Sequence, residues 1–583
     1  MRKLRSCYRP SLVGSHLEYC ADTNHRYSET FSTRACNIVH RPVGQSDDVQ
    51  QVQRWLKACL ATHDSCSQRM TQEMSTPQIT PSFPTRVINV GSSDGSTNPF
   101  LFETEGLKGQ YLALSHRWGN AKITKTTITN IAEHKKHIQL DSLCQVFQDA
   151  IYFTRKLGYR YLWIDSLCII QDSLEDWELE ASRMSEVYTN SILTLSASVA
   201  TSGDIGLFYP REESNSVEIP VRRAQGGALD SFSITDRLLS TFKEDVRSGT
   251  LSQRAWCLQE RVLSPRILHF GKSQLHWECI SGCWSESSIE AISEPDAFSG
   301  DIESKLRQQL YLTTWPSLEE TLKILEVNDK SPLKQVYGRG PYGKWYLIIT
   351  AYSSRMITND QDRLPALAGL AKSFKQFSGD EYAAGLWIDD IPAGLLWSGL
   401  SFYASRDSPS PLRRPTKHCA PSWSWASFEG PITYPLGKLG KIDIPRDWKY
   451  GFVASTPDTF GRVEQGFIEL SGRLRKLGSM IGFTADYLEN TKEFSEYFLQ
   501  DQIARALYDE PGLYKSDDVM CLLIAFQGCG SKTCNHNAGC HMRFAYSLLL
   551  HRSGNFGTFK RVGIALTYQS DWIGVQRTRI VIS

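Results

Sequence analysis

One glutamate is set apart by its company. If Leu251–Ser264 (LSQRAWCLQERVLS) is a helix, Trp256, Glu260 and Leu263 fall at i, i+4 and i+7, so a carboxylate shares a face with two large apolar groups. Burying an unpaired carboxylate is costly, and desolvation raises its pKa. Glu260 is therefore either half of an ion pair, with Arg254, Arg261 or a more distant arginine, or a functional group at a ligand cleft. Ser115 and Asp165 each close a short apolar run, and Arg117 and Trp118 come directly after the first of these. Asp165 could orient Ser115 or a ribose hydroxyl, or accept hydrogen bonds from the loop behind it. Arg117 could hold a phosphate and Trp118 could stack on a base. The plainer role for Trp118 is packing, because tryptophan buries a large area wherever it occurs.

The thiols offer less. Neither Cys168 nor Cys257 has a histidine placed nearby in sequence to activate it, and buried cysteines are mostly inert. Two stretches have the composition of a metal site: Cys529, Cys534, His536, Cys540 and His541, and His276, Cys279 and Cys283. Both are irregularly spaced and lack a paired CxxC, so the first reads as a polar hairpin loop and no tightly bound metal is expected. Gly338, Gly340 and Gly343 satisfy GxGxxG only with Pro341 inside it, which reads as a loop. No GxSxG elbow, HExxH or GxxxxGK[ST] occurs, which leaves hydrolase-triad, zincin and P-loop chemistry without support.

The elements that must carry these residues can be read from periodicity. Tyr111–Ser115, Tyr161–Asp165 and Ser191–Ala197 are apolar runs of strand length. Between the first two, Asp141 can cap a helix with Leu143, Phe147, Ala150 and Leu157 on one face, stopped by Gly158. Between the second and third, Ser173 and Asp176 resemble a capping box, and the stripe Trp177, Ala181, Met184 and Tyr188 comes after it. Arg266–Phe270 continues the pattern after the Glu260 helix. Short strands alternating with amphipathic helices predict βαβ units around a parallel sheet, whose ligands bind at the carboxyl ends of the strands, where Ser115 and Asp165 sit.

The rest of the chain divides by texture. Residues 1–50 read as a poorly ordered arm. Residues 51–105 hold a helix with the stripe Trp55, Leu56, Cys59 and Leu60, then a linker around one strand, Arg86–Val90. Residues 106–275 form the α/β unit, and 276–583 an α+β or β-rich region containing a helical pattern at 361–378, the tryptophan-rich segment PSWSW, and strands at Val519–Phe526 and Tyr546–His551.

Composition excludes whole classes. A chain of 583 residues exceeds one ordinary core. With 64 basic against 63 acidic side chains it lacks the excess of a non-specific nucleic-acid binder. Its 15 cysteines are odd in number and sparse, which suits reduced thiols. The basic N-terminus has no apolar run of signal-peptide type, and no stretch reaches the roughly 18 apolar residues needed to span a bilayer. A soluble, cytoplasmic protein is expected, with no nucleic-acid or membrane partner.

Three blocks then carry a resemblance: YLALSHRWG (111–119), YLWIDSLCIIQDSLEDWELEASRMSEVYTNS (161–191) and RAWCLQERVLSPRILHFG (254–271). In this order they resemble the ALSYxWG, WIDxLCINQ and RxWTLQE blocks of the fungal heterokaryon-incompatibility (HET) domain. The flanks agree: WLKACLATHDSC (55–66) resembles the segment that often precedes that domain, and stretches from 352 to 430, APSWSWASFEG among them, resemble the region that commonly succeeds it. His116, Ile170, Cys257 and Asn89 stand where the family commonly has Tyr, Asn, Thr and Asp. The resemblance implies an effector in non-self recognition and programmed cell death, acting with a partner protein or as a homo-oligomer. It also implies a remote likeness to the TIR domain, an α/β (flavodoxin-like) parallel sheet with helices on both faces. RAWCLQE is similar to the WCxxE block of TIR domains, whose enzymatic members cleave NAD with a helical glutamate. By that likeness Glu260 is the catalytic candidate, and Ser115, Arg117, Trp118, Asp165 and Trp256 are the substrate-binding candidates. NAD would be a substrate, and no resident cofactor is implied. Nicotinamide leaves neutral from a ring that is already cationic, so one carboxylate could suffice where ordinary glycosidases need two. Because many TIR domains are scaffolds, a non-enzymatic self-associating module is the alternative.

Overall fold

The computed structural model describes residues 46–63, 66, 81–119, 122–209, 216–221, 230–235, 240–286, 307, 341–399, 412–434, 439–456, 458–480, 505–510, 513–527, 544–554 and 557–583. The cysteine- and histidine-rich stretch 529–541, the first 45 residues of the expected arm, and Gly338 and Gly340 lie outside these.

Helix α1 (Ser46–Thr62) begins within the segment read as an arm. Its buried stripe is Val49, Val52, Leu56 and Cys59, while Leu60 is exposed, so the face is turned slightly from the one read off Trp55–Leu60. Beyond it stands an eight-stranded sheet, built from β1 (Arg86–Asn89), β2 (Phe100–Glu103), β3 (Leu112–Ser115), β4 (Tyr161–Trp163), β5 (Leu193–Ser196), β6 (Arg266–Phe270), β7 (Leu275–Cys279) and β8 (Gly282–Ser285). Its order is β8-β7-β6-β5-β3-β4-β1-β2. The centre, β4-β3-β5-β6, is parallel. Both edges are antiparallel, which corrects the expectation of a parallel sheet throughout. The reason lies in the connections: β6, β7 and β8 are joined by short loops with no helix, and such loops permit only an antiparallel return. The sheet thus draws on residues before 106 and after 275.

Every residue of β1, β3, β6 and β7 is buried, as expected where both faces are covered. On one face, His116 and Phe270 meet Phe147 and Phe153 of helix α2 (Gln145–Lys156) at 5.0 and 5.3 Å between ring centroids. Trp277 on the same face meets Trp55 of α1 at 6.1 Å. On the other face, Trp163 meets Tyr188 of α3 (Leu174–Asn190) at 5.7 Å, and Ser115 meets α4 (Ala255–Leu263).

Local signals were realised unevenly. Ser173 caps α3 by accepting from the Asp176 N–H at 3.2 Å. The Asp176 carboxylate does not complete a capping box; it accepts instead from Ile170 N and from Arg86 at 2.8 and 2.6 Å. Asp141 caps nothing. It lies in a single 3-10 turn, Leu140–Ser142, and the extended backbone at Leu143 and Cys144 delays α2 to Gln145. Gly158, at φ +87°, ends the passage from α2 into β4 as expected. The Leu251–Ser264 helix is broken: Leu251–Gln253 is a 3-10 turn, Arg254 is extended, and α4 starts at Ala255.

Helices α5 (Pro341–Ser353) and α6 (Pro365–Ser378) belong to this body, and α6 packs across α3 and α4. Gly369 permits the close approach. A Cβ there would stand 2.6 Å from that of Ser185, and its N–H donates to Gln259 Oε1 at 3.2 Å.

The C-terminal region is β-rich. Val463–Lys476 pairs with both Arg577–Ile582 and Val519–Gln527, so the sheet continuing through Phe544–Arg552 and Thr558–Tyr568 closes on itself. Trp423 and Trp425 of the PSWSW segment are fully buried between the two bodies. No helix among the described residues is long and apolar enough to cross a membrane.

Candidate active site

Ser115 ends β3 where the parallel order reverses, with β4 on one side and β5 on the other. Such a switch point is where open α/β sheets place their ligands. The Ser115 hydroxyl donates to Glu260 Oε2, joining residues 145 apart in sequence. The Tyr188 hydroxyl lies against the same carboxylate and donates to the Leu114 carbonyl at 3.2 Å. Burial raises the Glu260 pKa above its ordinary value; Arg254, Ser115 and Tyr188 oppose that rise, and Asp165 adds to it.

The ion-pair reading of Glu260 receives a divided answer. Arg261 turns away to Glu278, at 2.9 and 3.1 Å. Arg254 donates to the His116 carbonyl, so its guanidinium acts on Glu260 through its field and not through a direct bridge. Burial works against the Arg254 charge, yet Cys257, Glu260, Asp165 and Tyr188 together hold its pKa above the ordinary value. The break at Arg254 has a purpose here. Its extended backbone bridges Met356, and Ala255 N–H donates to the Met356 carbonyl at 2.9 Å, which anchors the start of α4 to the segment after α5.

Asp165 opens the single helical turn after β4 and orders its surroundings. Its carboxylate accepts from Ser166 N–H at 2.6 Å and from Trp118 Nε1 at 3.0 Å, with His116 Nε2 3.7 Å away. Burial holds His116 below its ordinary pKa, with Arg254 acting in the same direction and Asp165 opposing, so the ring is neutral near pH 7. Trp118 is half-buried, and Lys125 sits 4.6 Å over its ring, on a face that a base would need. Arg117 is half-buried with no ion-pair partner among the described residues. Trp256 does not join the cluster; it packs edge-on against Trp177 at 6.3 Å, on the α3–α4 side. Burial pushes the Cys257 and Cys168 thiols up, as inert cysteines require.

A cavity of about 20 Å³ adjoins Glu260, lined also by Ser115, Ser196, Ser198, His269 and Arg355. That is room for about one water molecule. Sequence reasoning missed a second network on its wall. Ser198 Oγ lies 2.9 Å from His269 Nδ1, and His269 Nε2 lies 2.9 Å from Glu278 Oε2. The order resembles a Ser–His–acid relay, but burial brings His269 down to about 4, and Glu278 is held by Arg261 and Arg307. So weak a base would not activate a serine, and the network is structural. Likewise His276 and Cys283 point to the α4 side of the sheet and Cys279 to the α1 side, so these three do not converge.

Residues 111–260 match the model of the family described as heterokaryon incompatibility protein (HET). The chain carries a HET domain. No curated protein and no solved structure matches it. The match runs from the first residue before β3 to Glu260 itself, so the HET segment begins and ends on the two elements that the Ser115–Glu260 bond ties together.

Asp165 and Trp118 are expected to act on the shape of this domain first. Trp118→Ala should lower the melting temperature, at a cost in stability below the roughly 3–5 kcal/mol of a fully buried tryptophan, because the ring is only half-buried. Asp165→Ala should also destabilise, since it leaves Trp118 Nε1 and Ser166 N–H without their acceptor. Thermal melts of both variants check this; unchanged stability with lost activity would make them ligand contacts instead.

Proposed function

We propose that this protein is a heterokaryon-incompatibility effector that acts in the cytoplasm in fungal non-self recognition and cell death, and that its HET domain cleaves NAD at Glu260. The observation that carries the reading is the Ser115–Glu260 pair at the sheet's switch point, beside the cationic Arg254. A carboxylate held by a hydroxyl at this place can bind ribose hydroxyls and stabilise an oxocarbenium-like centre electrostatically. Arg117 is available for a phosphate, and the likeness of RAWCLQE to the TIR block supports the same chemistry.

One observation favours the non-enzymatic alternative. The cavity beside Glu260 admits a water and not a nicotinamide ring. In the catalytic reading the site must therefore open, and self-association or an incompatibility partner would supply the energy for opening. Purified full-length protein incubated with NAD at rising protein concentration separates the readings. Nicotinamide release that climbs more steeply than protein concentration is expected. Silence at every concentration, with oligomers present, would leave the protein a self-associating interaction module.

A further inference from the structure

We propose that Cys59, His63, Cys66 and Cys279 form a structural zinc site that fastens α1 to β7, the strand next to the edge of the eight-stranded sheet. Their ligand atoms all lie within 4.8 Å of one another. His63 Nδ1 faces Cys279 Sγ at 3.4 Å and Cys66 Sγ at 4.0 Å. A tetrahedral zinc with Zn–S of about 2.3 Å and Zn–N of about 2.0 Å sets its ligands roughly 3.5–3.8 Å apart, so closing on a metal needs only small side-chain movements. The chemistry also selects the ion: three sulfurs and one imidazole nitrogen are a borderline-soft set that suits zinc over hard cations.

The surroundings are those of a built site. All three cysteines are buried, and none forms a disulfide. The His63 ring is held by stacking on Trp284, 5.5 Å between centroids and 17° between planes. Ser281 Oγ lies 3.7 Å from Cys66 Sγ. Arg266, 1% exposed, donates to the Cys66 carbonyl at 2.7 Å, and its Nε has no hydrogen-bond partner among the described residues. A zinc with three thiolates and one neutral histidine carries net charge of about −1, which would account for a buried arginine placed behind it. Three ligands come from the end of α1 and the turn after it, with C-x3-H-x2-C spacing, and the fourth from the end of β7, 216 residues from His63. All four lie outside the matched segment 111–260, on both sides of it. Zinc would thus join the two flanks that complete the sheet, in place of the expectation that no metal is tightly bound.

Elemental analysis of the full-length chain, purified without chelator, is the test. About one zinc per chain is expected, falling to background in Cys66→Ser/Cys279→Ser and unchanged in Cys534→Ser/Cys540→Ser, which controls for the other cysteine-rich stretch. Should the first variant fold poorly, the wild-type chain still decides: stripping zinc should lower its melting temperature, and cobalt(II) added back should give a thiolate-to-cobalt charge-transfer band. Wild-type protein with under about a tenth of a zinc per chain, or zinc retained in Cys66→Ser/Cys279→Ser, would overturn the site. So would alkylation under non-reducing conditions that finds Cys59, Cys66 or Cys279 in a disulfide.

Discussion

Glu260→Gln is expected to abolish NAD turnover while leaving the fold intact. Glutamine keeps the size of the side chain, and its Oε1 still accepts from Ser115. No arginine among the described residues bridges Glu260 directly, so none of these is stranded, and the loss of about 3–5 kcal/mol that accompanies the breaking of a buried ion pair should not appear. What is lost is the charge that would stabilise the developing cation. A contact of that kind is worth about 2.7–4 kcal/mol, or a hundred- to thousandfold in rate. The pH dependence gives a second readout. Burial raises the folded pKa of Glu260 above its unfolded value of 4.5, so between the two values the native state binds more protons than the unfolded state. Stability therefore falls as pH rises through this window, and wild type carries the deficit at every higher pH. Glu260→Gln should match wild type in acid and melt higher at neutral pH. A variant that is fully active would sink the catalytic reading. One that melts several degrees lower at neutral pH would show that the Arg254 field makes the ionised carboxylate a net stabiliser.

Glu278→Gln should behave in the opposite way. Glu278 is fully buried and bonded to Arg261, His269 and Arg307, with both arginine side chains almost wholly buried. Burial alone would raise its pKa, but the two arginines and His269 outweigh burial and hold it well below 4.5. The sign reverses accordingly: this carboxylate contributes stability that is present above the unfolded value and lost as pH falls through the folded one. Removing the charge takes from two buried guanidinium groups the carboxylate they share, at a cost of about 3–5 kcal/mol. That is a large fraction of the roughly 5–15 kcal/mol that holds a domain folded. Denaturant melts should show the loss at neutral pH and a smaller one in acid, while nicotinamide release per folded molecule stays unchanged. Unaltered stability would mean that the network does not hold Glu278 ionised.

Glu260 and Glu278 show where sequence reading ends. Both are carboxylates in largely apolar segments, and no local pattern distinguishes the one beside a water-sized cavity from the one clamped by arginines. The distinction depends on Arg261, adjacent to Glu260 in sequence, turning to the β7 side of α4. Trp256 is a similar case. Its i, i+4 relation to Glu260 is correct along the helix, but α3 and α6 pack on α4 and draw the indole toward Trp177.

The sequence alone determined the alternation of strands and helices from Tyr111 to Phe270, the strand-end position of Ser115, the burial of Glu260, and the likeness of 111–260 to the HET family, whereas Asp165, expected at the end of a strand, opens the helical turn after β4. These are properties of local periodicity and contiguous motifs, readable wherever one face of an element must leave water. Only the tertiary structure decided that antiparallel hairpins close both edges of the sheet. Of their strands, β1 and β7 are buried on both faces and show no alternation to read. It also decided which side chains meet across long separations: Ser115 with Glu260, 145 residues apart, and His63 with Cys279, 216 apart. Such contacts are set by which helix covers which face, and that depends on how the whole chain buries its apolar area, a quantity no short window of sequence contains.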